Sequence, residues 1–178
     1  MPTMGDRLRY AALLRAIANL PMKPLRDALE ELGFTNVESY ATSGNLLFDA
    51  PDTDRRSLER RITERLGTDA FVRTRAEMAR VVAGDPLLGI VMFLGRPPTA
   101  ARRRVFLELD FEDPHPVLRG TTLYYSYPLL LRGRRTPFDI ERALGVRGTF
   151  RTSRVAAILL DRLSAPPAGS AADVSLRR

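Results

Sequence analysis

Residues 66–74 read LGTDAFVRT, and 78 residues later residues 144–152 read LGVRGTFRT. Each stretch has Leu-Gly, then five residues, then Arg-Thr, and each continues into a run typical of a helix. A glycine that follows an apolar helical residue is typical of a helix end. Because the pattern recurs at a fixed shift, it indicates an internal duplication of the chain. We therefore predict that each half ends with a helix, a glycine, a short strand and a further helix.

The first half reads as a strand, a helix, a hairpin, a helix and a strand. Mostly apolar runs indicate buried strands, whereas apolar residues at helical spacing that stop at a glycine indicate helices. The predicted elements are a strand at 8–17, a helix at 22–32, hairpin strands at 36–41 and 45–49, a helix that ends at Gly67 and a strand at 70–73. In the second helix we expect a cap at Asp52 or Thr53, and we expect Arg55 and Glu59 to face water.

The second half repeats this order less clearly. Val105, Leu107, Leu109 and Phe111 alternate with other residues, which is typical of a half-buried strand. Thr136 followed by Pro137 is typical of a helix start. The predicted elements are strands at 88–94, 105–111, 121–127 and near Phe150, with helices at 97–103, 137–144 and 153–163.

Strand, helix, strand, strand, helix and strand is the ferredoxin-like order. We therefore predict an α+β protein made of duplicated ferredoxin-like (βαββαβ) units packed as one globule, because halves of this size are small for independent folding. The expected halves are residues 1–84 and 85–163, followed by a flexible tail at 164–178 rich in Ala, Pro, Gly and Ser.

The composition limits the kinds of catalytic or metal-binding site that the chain could form. The chain has no cysteine and one histidine, His115, which lies between Pro114 and Pro116 in a predicted turn. A histidine- or cysteine-based nucleophilic site is therefore disfavoured. We expect no cofactor and no bound metal. No apolar run reaches the length of a membrane span, and we expect a cytoplasmic protein.

The formal net charge of +7 comes almost entirely from arginine, since Lys23 is the only lysine. Such a balance is compatible with a phosphate-bearing partner, but the arginines are dispersed among Asp and Glu, which favours an ordinary solvated surface. Arg119-Gly120 is followed by Thr121, Thr122 and Leu123, where RNA-binding sheets carry aromatic rings. Nucleic-acid binding is therefore an alternative that the sequence disfavours.

Three places in the chain are candidates for binding an anion. Gly44, between Ser43 and Asn45, could let a phosphate approach the backbone, although a tight hairpin turn explains the same residues. Arg15 stands in an apolar strand, where a charge needs a partner. Arg151 and Thr152 lie where a strand leads into a helix, and Arg151 could hold an anion or pair with a carboxylate. The sequence favours the packing role for Arg151 because Arg73 holds the matching place.

With these elements placed, the chain resembles the bacterial family called domain of unknown function 1697. The residues that carry the resemblance are Ala12-Leu13-Leu14-Arg15, the run from Leu25 to Phe34, the Tyr40-x-x-Ser43-Gly44-Asn45-x-x-Phe48 hairpin, and Leu144-Gly145 through Thr149-x-Arg151. The resemblance implies a duplicated α+β fold and implies no activity.

The chain departs from the family pattern at two places. Members usually carry a glycine-rich segment after the first-strand arginine, whereas Arg15 is followed by AIANLP. Members usually follow the late arginine with Asn-Trp, whereas Arg151 is followed by Thr152-Ser153.

Taken together, the sequence favours a protein that binds a small anionic or phosphate-bearing ligand, or a protein partner, without catalysis. The alternatives are nucleic-acid binding through arginine–phosphate contacts and an enzyme that uses carboxylates and arginine. The sequence leaves the oligomeric state open.

Overall fold

The computed structural model describes residues 7–15, 21–109, 111, 115–126 and 136–165. Within these residues the chain forms eight strands and six helices. The first set is β1 (Arg7–Leu14), α1 (Met22–Glu31), β2 (Thr35–Tyr40), β3 (Asn45–Pro51), α2 (Arg55–Leu66), β4 (Ala70–Thr74) and α3 (Arg75–Ala83). The second set is β5 (Gly89–Leu94), α4 (Ala100–Leu107), β6 (Val117–Arg119), β7 (Thr122–Ser126), α5 (Pro137–Leu144), β8 (Gly148–Thr152) and α6 (Ser153–Ser164).

The strands form two antiparallel sheets of four strands with the same order. The first sheet has the order β2-β3-β1-β4 and the second has β6-β7-β5-β8. In each sheet the first strand of the set is central and pairs with the third and the last. The predicted α+β fold, with the βαββαβ pattern repeated twice, is therefore confirmed.

The chain divides into two compact units, and the division falls inside two helices. The first unit comprises the residues up to Met78 and those from Leu159 onwards, and the second comprises Ala79–Ile158. The last turns of α6 thus belong to the first unit, and the end of α3 belongs to the second. The halves predicted from the sequence, 1–84 and 85–163, keep each of these two helices within one half. Their bounds stay a prediction. Most of the predicted tail lies outside the described residues.

One face of each sheet packs on its helices to form a core. In the first unit this core contains Tyr10, Phe48, Leu58 and Ile62, and in the second it contains equivalent apolar residues of β5, β7, α4 and α5. The opposite face of each sheet is also buried, as Leu13 in β1 and its counterparts show. Fully buried faces explain why the central strands are continuously apolar rather than alternating.

The helix ends follow from local residues. Gly67 and Gly145 both adopt positive φ, +69° and +65°, and both donate their backbone N–H to the carbonyl of the residue four positions earlier. Thr136 and Asp139 form a reciprocal capping box at the start of α5. The cap of α2 is Asp54, which accepts a hydrogen bond from Ser57 N, so the predicted cap at Asp52 or Thr53 is wrong by one or two residues.

The predicted strand at 105–111 is wrong, because residues 100–107 form helix α4. Thr99 Oγ1 accepts a hydrogen bond from Arg102 N and begins the helix three residues later than the predicted one. Phe106 is the buried residue of α4, whereas Val105 and Leu107 are exposed. The place in the sheet is taken by the short strand β6, which the sequence did not predict and which pairs with β7.

Candidate functional site

Arg15 lies directly after β1, between the β2–β3 turn and the loop that leads from α2 into β4. On one side, Leu14 N donates to Gly44 O at 2.8 Å. On the other side, Arg15 N donates to Asp69 O at 2.9 Å, and Thr68 Oγ1 donates to Arg15 O at 2.8 Å. The backbone at Arg15 is therefore fixed by two neighbouring loops at one end of the first sheet.

The β2–β3 turn is built around Asn45. This side chain is fully buried, and its Nδ2 donates to Tyr40 O and to Ser43 Oγ, both at 3.0 Å. Gly44 has φ +72°, the left-handed conformation that glycine adopts without strain. Asn45 and Gly44 thus shape the turn, and Asn45 orients the hydroxyl of Ser43.

Four of the six candidate binding residues therefore come together in the first unit. Arg15 follows the β1 residue that bonds to Gly44, and Leu13 lies opposite Asn45 in the sheet. The other two candidates, Arg151 and Thr152, belong to the second unit.

The second unit repeats the backbone of this site with different side chains. Leu94 N donates to Thr121 O at 2.8 Å, and Gly95 N donates to Arg147 O at 3.0 Å. Gly95 thus holds the place of Arg15, and Arg147 holds the place of Asp69. Arg15 is therefore a cation of the first unit that the duplicated fold itself does not require.

Arg73 and Arg151, by contrast, hold matching places. Arg73 lies opposite Ala11 of β1, and Arg151 lies opposite Val91 of β5. Both are buried, with 1% and 7% of their surface exposed. The Nη1 of Arg73 donates to the carbonyl of Val72 at 2.8 Å, and the Nη1 of Arg151 donates to the carbonyl of Phe150 at 2.7 Å.

Burial lowers the pKa of both arginines to about 10, and in Arg73 the nearby charge of Arg55 adds to this effect. Both guanidinium groups nevertheless stay charged at neutral pH. The Nη1 of Arg151 also donates to Thr149 Oγ1 at 2.8 Å. Thr152 Oγ1 accepts from Val155 N at 3.2 Å, so Thr152 is the cap of α6.

Around Arg73 the first unit forms an ion network that the sequence did not predict. Glu59 Oε1 lies 3.5 Å from Arg73 Nη1 and 3.3 Å from Arg55 Nη1, and it accepts the N–H of Val72 at 2.9 Å. Glu77 lies 3.6 Å from Arg55. The expectation that Arg55 and Glu59 face water is wrong, since both are only partly exposed. The missed signal was the arginine in a buried strand, which needs a carboxylate partner.

Burial raises the pKa of the Glu59 carboxyl, and Arg55 and the N–H of Val72 oppose the effect in part.

Three further findings concern the described residues. His115 is exposed, and among these residues no group of three His, Asp or Glu side chains is arranged to hold a metal ion. No helix in this part of the chain is both long enough and apolar enough to cross a membrane.

The repeated strand order defines a duplicated ferredoxin-like α+β protein. The model of the family described as "Protein of unknown function (DUF1697)" matches residues 8–124, and the chain belongs to this family. The matched residues include the β1 end and the β2–β3 turn, while the stretch 144–151 lies beyond them.

A solved structure of a conserved bacterial protein from Streptococcus pneumoniae has the same fold, with a TM-score of 0.67. The similarity covers 90% of this chain and 100% of that chain at 18% sequence identity, and it therefore concerns the fold alone. The comparison with curated proteins finds no match.

Proposed function

We propose that this protein binds a small anionic, phosphate-bearing ligand at the end of β1, where Arg15 lies beside Ser43 and Gly44. The observation that carries the proposal is the difference between the two units. The backbone N–H groups of Arg15 and Gly95 make matching hydrogen bonds, as do those of Leu14 and Leu94, so folding alone does not explain an arginine at one of them. A cation that only one copy carries is better explained by a ligand of that copy.

The neighbouring groups suit an anion. A guanidinium donates two parallel hydrogen bonds to a phosphate or carboxylate group. Gly44 has no side chain to block an approach to the turn, and Ser43 adds a hydroxyl. The Asp69 carbonyl accepts the N–H of Arg15 on the other side, and the negative charge of this residue opposes an anion, so we expect only moderate affinity.

The proposal is binding without catalysis. The single histidine of the chain belongs to the second unit, whereas the Ser43 hydroxyl, which accepts a hydrogen bond from Asn45 Nδ2, belongs to the first. Arg151 and Thr152 are left out of the proposed site, because burial and capping contacts account for their positions.

Calorimetric titration with inorganic phosphate and pyrophosphate tests the site. We expect wild type to bind pyrophosphate more tightly than phosphate, and Arg15→Ala to lower the affinity by roughly 10-fold or more, as for a lost charged hydrogen bond. Asp69→Asn should raise the affinity, because it removes the opposing charge.

Arg56→Ala is the matched control, since it removes an exposed arginine from α2 in the same unit. It changes the net charge as Arg15→Ala does and should leave the affinity unchanged. Equal losses in Arg15→Ala and Arg56→Ala would mean that the anion responds to overall charge, and the proposed site would be rejected.

A further inference from the structure

Strand β4 lies at one edge of the first sheet, and side chains bond to the backbone along its outer side. In an antiparallel sheet every second residue of an edge strand directs its N–H and C=O away from the neighbouring strand. In β4 each of these outward N–H groups has a side-chain acceptor, namely Thr63 for Ala70, Glu59 for Val72 and Glu77 for Thr74, at 3.0, 2.9 and 2.9 Å. The outer side of β4 therefore offers no N–H group to another strand.

Strand β8 has the same place in the second sheet. Gly95 N donates to Arg147 O, and β8 continues from there with one residue of β5 opposite each of its own. Because hydrogen-bonded and non-hydrogen-bonded pairs alternate, every second residue of β8 directs its N–H and C=O outwards. These residues are Gly148, Phe150 and Thr152, which match Ala70, Val72 and Thr74 at the 78-residue shift.

The acceptors that protect β4 recur only in part beside β8. Glu141 Oε1 accepts the N–H of Gly148 at 2.8 Å. Pro137 holds the place of Glu59 and Val155 that of Glu77, and neither side chain can accept a hydrogen bond. Within the part of the chain that the structure describes, no side chain accepts the N–H of Phe150 or of Thr152. The outer side of β8 is therefore open at these two N–H groups.

The side chain of Phe150 is exposed beside this open edge. Phe150 lies opposite the core residue Met92, yet it is 41% exposed, whereas Val72 in the matching place is fully buried. A single exposed aromatic residue is ordinary on a protein surface. Beside unpaired backbone groups, however, it gives the combination of main-chain bonding and side-chain contact that recognition by strand addition uses.

The remaining edge strands have features that discourage pairing. β2 contains an irregularity, since its register with β3 shifts between Thr35 and Glu38. β6 has only three residues. Bulges and short edge strands are common means of preventing edge-to-edge association. Of the four edge strands, β8 is thus the one best suited to accept a further strand.

The outward groups of β8 are complementary to a second copy of the same strand. The donors are the N–H groups of Phe150 and Thr152, and the acceptors are the C=O groups of Gly148 and Phe150. The Phe150 carbonyl accepts from Arg151 Nη1 and has a second lone pair. An antiparallel pairing about a two-fold axis at Phe150 directs each Phe150 N–H to the other Phe150 C=O, and each Thr152 N–H to the other Gly148 C=O.

We propose that β8 pairs with β8 of a second copy of this chain, which joins the second sheets of two copies into one sheet of eight strands. In this register the two Phe150 rings are a cross-strand pair, and Arg151 lies opposite Thr149, so no like charges are directly opposed. An interface with two-fold symmetry closes after two copies. The proposal does not depend on the anion site at Arg15.

Disulfide cross-linking tests the register, because the chain has no cysteine of its own. In a hydrogen-bonded antiparallel pair the two Cα atoms are about 5.5 Å apart, a distance that a disulfide can span. Under mild oxidation we expect full-length Phe150→Cys to form a linked dimer roughly 10-fold or more faster than Arg154→Cys. Arg154 is the control, since it is exposed and its two copies would lie on opposite sides of the axis.

Sedimentation of the full-length protein from about 1 to about 100 µM, in about 150 mM salt, measures the dimer itself. We expect wild type to dimerise and Val155→Glu to weaken the dimer roughly 10-fold or more, because it gives each Thr152 N–H an acceptor within its own chain. This variant should also fold well. It completes with Thr152 the reciprocal cap that Thr74 and Glu77 form in the first unit, and Val155 and Glu77 are equally half-buried.

Ala157→Glu is the matched control for Val155→Glu. It adds the same charge to α6 at another half-buried position, two residues or about 200° further around the helix, where its carboxylate is directed away from Thr152. It should leave dimerisation within about two-fold of wild type. Circular dichroism melting checks the folding of each variant, and Phe150→Ser, which removes the ring pair, replaces Val155→Glu if that variant fails to fold.

Three results would overturn the proposal. Equal dimerisation of Val155→Glu and wild type would mean that the copies associate through another surface. Equal rates of cross-linking for Phe150→Cys and Arg154→Cys would show random collision. Sedimentation of wild type as a monomer at about 100 µM would exclude a second copy, and slow exchange of the Phe150 amide hydrogen in that monomer would show that another part of the chain covers the edge.

Discussion

Three arginines at the ends of strands illustrate how a duplicated chain separates packing from binding. Arg73 and Arg151 recur in both units, are buried, and donate to the carbonyl of the residue before them. Arg15 has a glycine, Gly95, as its counterpart. A residue that both copies keep is best explained by the shared fold, whereas a residue of one copy is the better candidate for a ligand.

We predict that Arg73→Ala and Arg151→Ala each destabilise the protein. Arg73→Ala should lower the free energy of unfolding by about 3 kcal/mol, because it removes one of the two arginines that lie within ion-pair distance of the Glu59 carboxylate and also the hydrogen bond to the Val72 carbonyl. Arg151→Ala should lower it by about 1–3 kcal/mol through lost hydrogen bonds to Thr149 and Phe150. Urea denaturation, with and without phosphate, measures both losses.

Comparing urea denaturation with and without phosphate distinguishes a packing role of these arginines from a ligand-binding role. A packing role predicts the same loss with and without phosphate for both variants. If phosphate stabilises wild type and Arg151→Ala alone abolishes the gain, Arg151 is a ligand-binding residue and the packing interpretation is wrong.

The sequence predicted part of the candidate site and could not predict the rest. The hairpin order alone predicts that Ser43, Gly44 and Asn45 form a turn, because glycine at such a position permits positive φ. Its proximity to Arg15 follows from the antiparallel pairing of β1 with β3, which ferredoxin-like topology implies. The predicted halves already separate Arg151 and Thr152 from this turn. The contact of Arg73 with Glu59 depends on the packing of α2 on β4, which no local pattern encodes.

At the scale of elements, Glu59 links α2 to β4 and, through Arg55 and Glu77, to the start of α3. Its Oε1 accepts the N–H of Val72, while Glu77 Oε2 accepts the N–H of Thr74 at 2.9 Å. Two carboxylates thus bond to the backbone of one strand. In the second unit Glu141 makes a related contact, since it accepts the N–H of Gly148.

The raised pKa of Glu59 predicts a pH dependence with a definite sign. Between its ordinary value of 4.5 and the raised value, the folded protein binds more protons than the unfolded chain. The free energy of unfolding therefore falls as the pH rises through this window. Glu59→Gln has no proton to lose, so the advantage of wild type over Glu59→Gln should decrease with rising pH.

Urea denaturation of both proteins from about pH 4 to about pH 8 measures this difference. Glu64→Gln, on the exposed side of α2, is the control and should show no comparable trend. An advantage of wild type that increases with pH would mean that attraction to Arg55 and Arg73 outweighs burial, and the prediction would fail.

Local signals predicted the elements well where a cap or glycine is present. Gly67, Gly145 and the Thr136-Pro137 pair mark helix ends through positive φ or capping, and α2 and α5 stop or start there. The region of α4 was misread because Val105 and Leu107 alternate with other residues by chance. The packing of Phe106 in the core, where its ring centroid lies 5.1 Å from that of Phe111, decides which side of the segment is buried.

At the scale of the whole molecule, the bounds of the two units fall inside helices, since the end of α3 belongs to the second unit and the end of α6 to the first. The last turns of α6 belong to the first unit, where Leu159 and Leu163 are buried. Arg162 lies over the Tyr40 ring at 4.9 Å and 3.8 Å from Glu38, and Ser164 Oγ accepts from Arg75 Nε at 2.9 Å. The first unit is therefore completed by residues that the chain reaches only near its end.

Because the end of α6 belongs to the first unit, we predict that Leu163→Ala destabilises the first unit, although Leu163 follows the second unit in the sequence. Removing a buried leucine should lower stability by about 2–5 kcal/mol. Hydrogen–deuterium exchange should therefore accelerate in β1, β2 and β3. Leu144→Ala, in the core of the second unit, is the matched control and should accelerate exchange in β5 and β7 instead. If Leu163→Ala accelerated exchange in β5 and β7 while β1 stayed protected, α6 would belong wholly to the second unit, and the bounds suggested by the repeat would be correct.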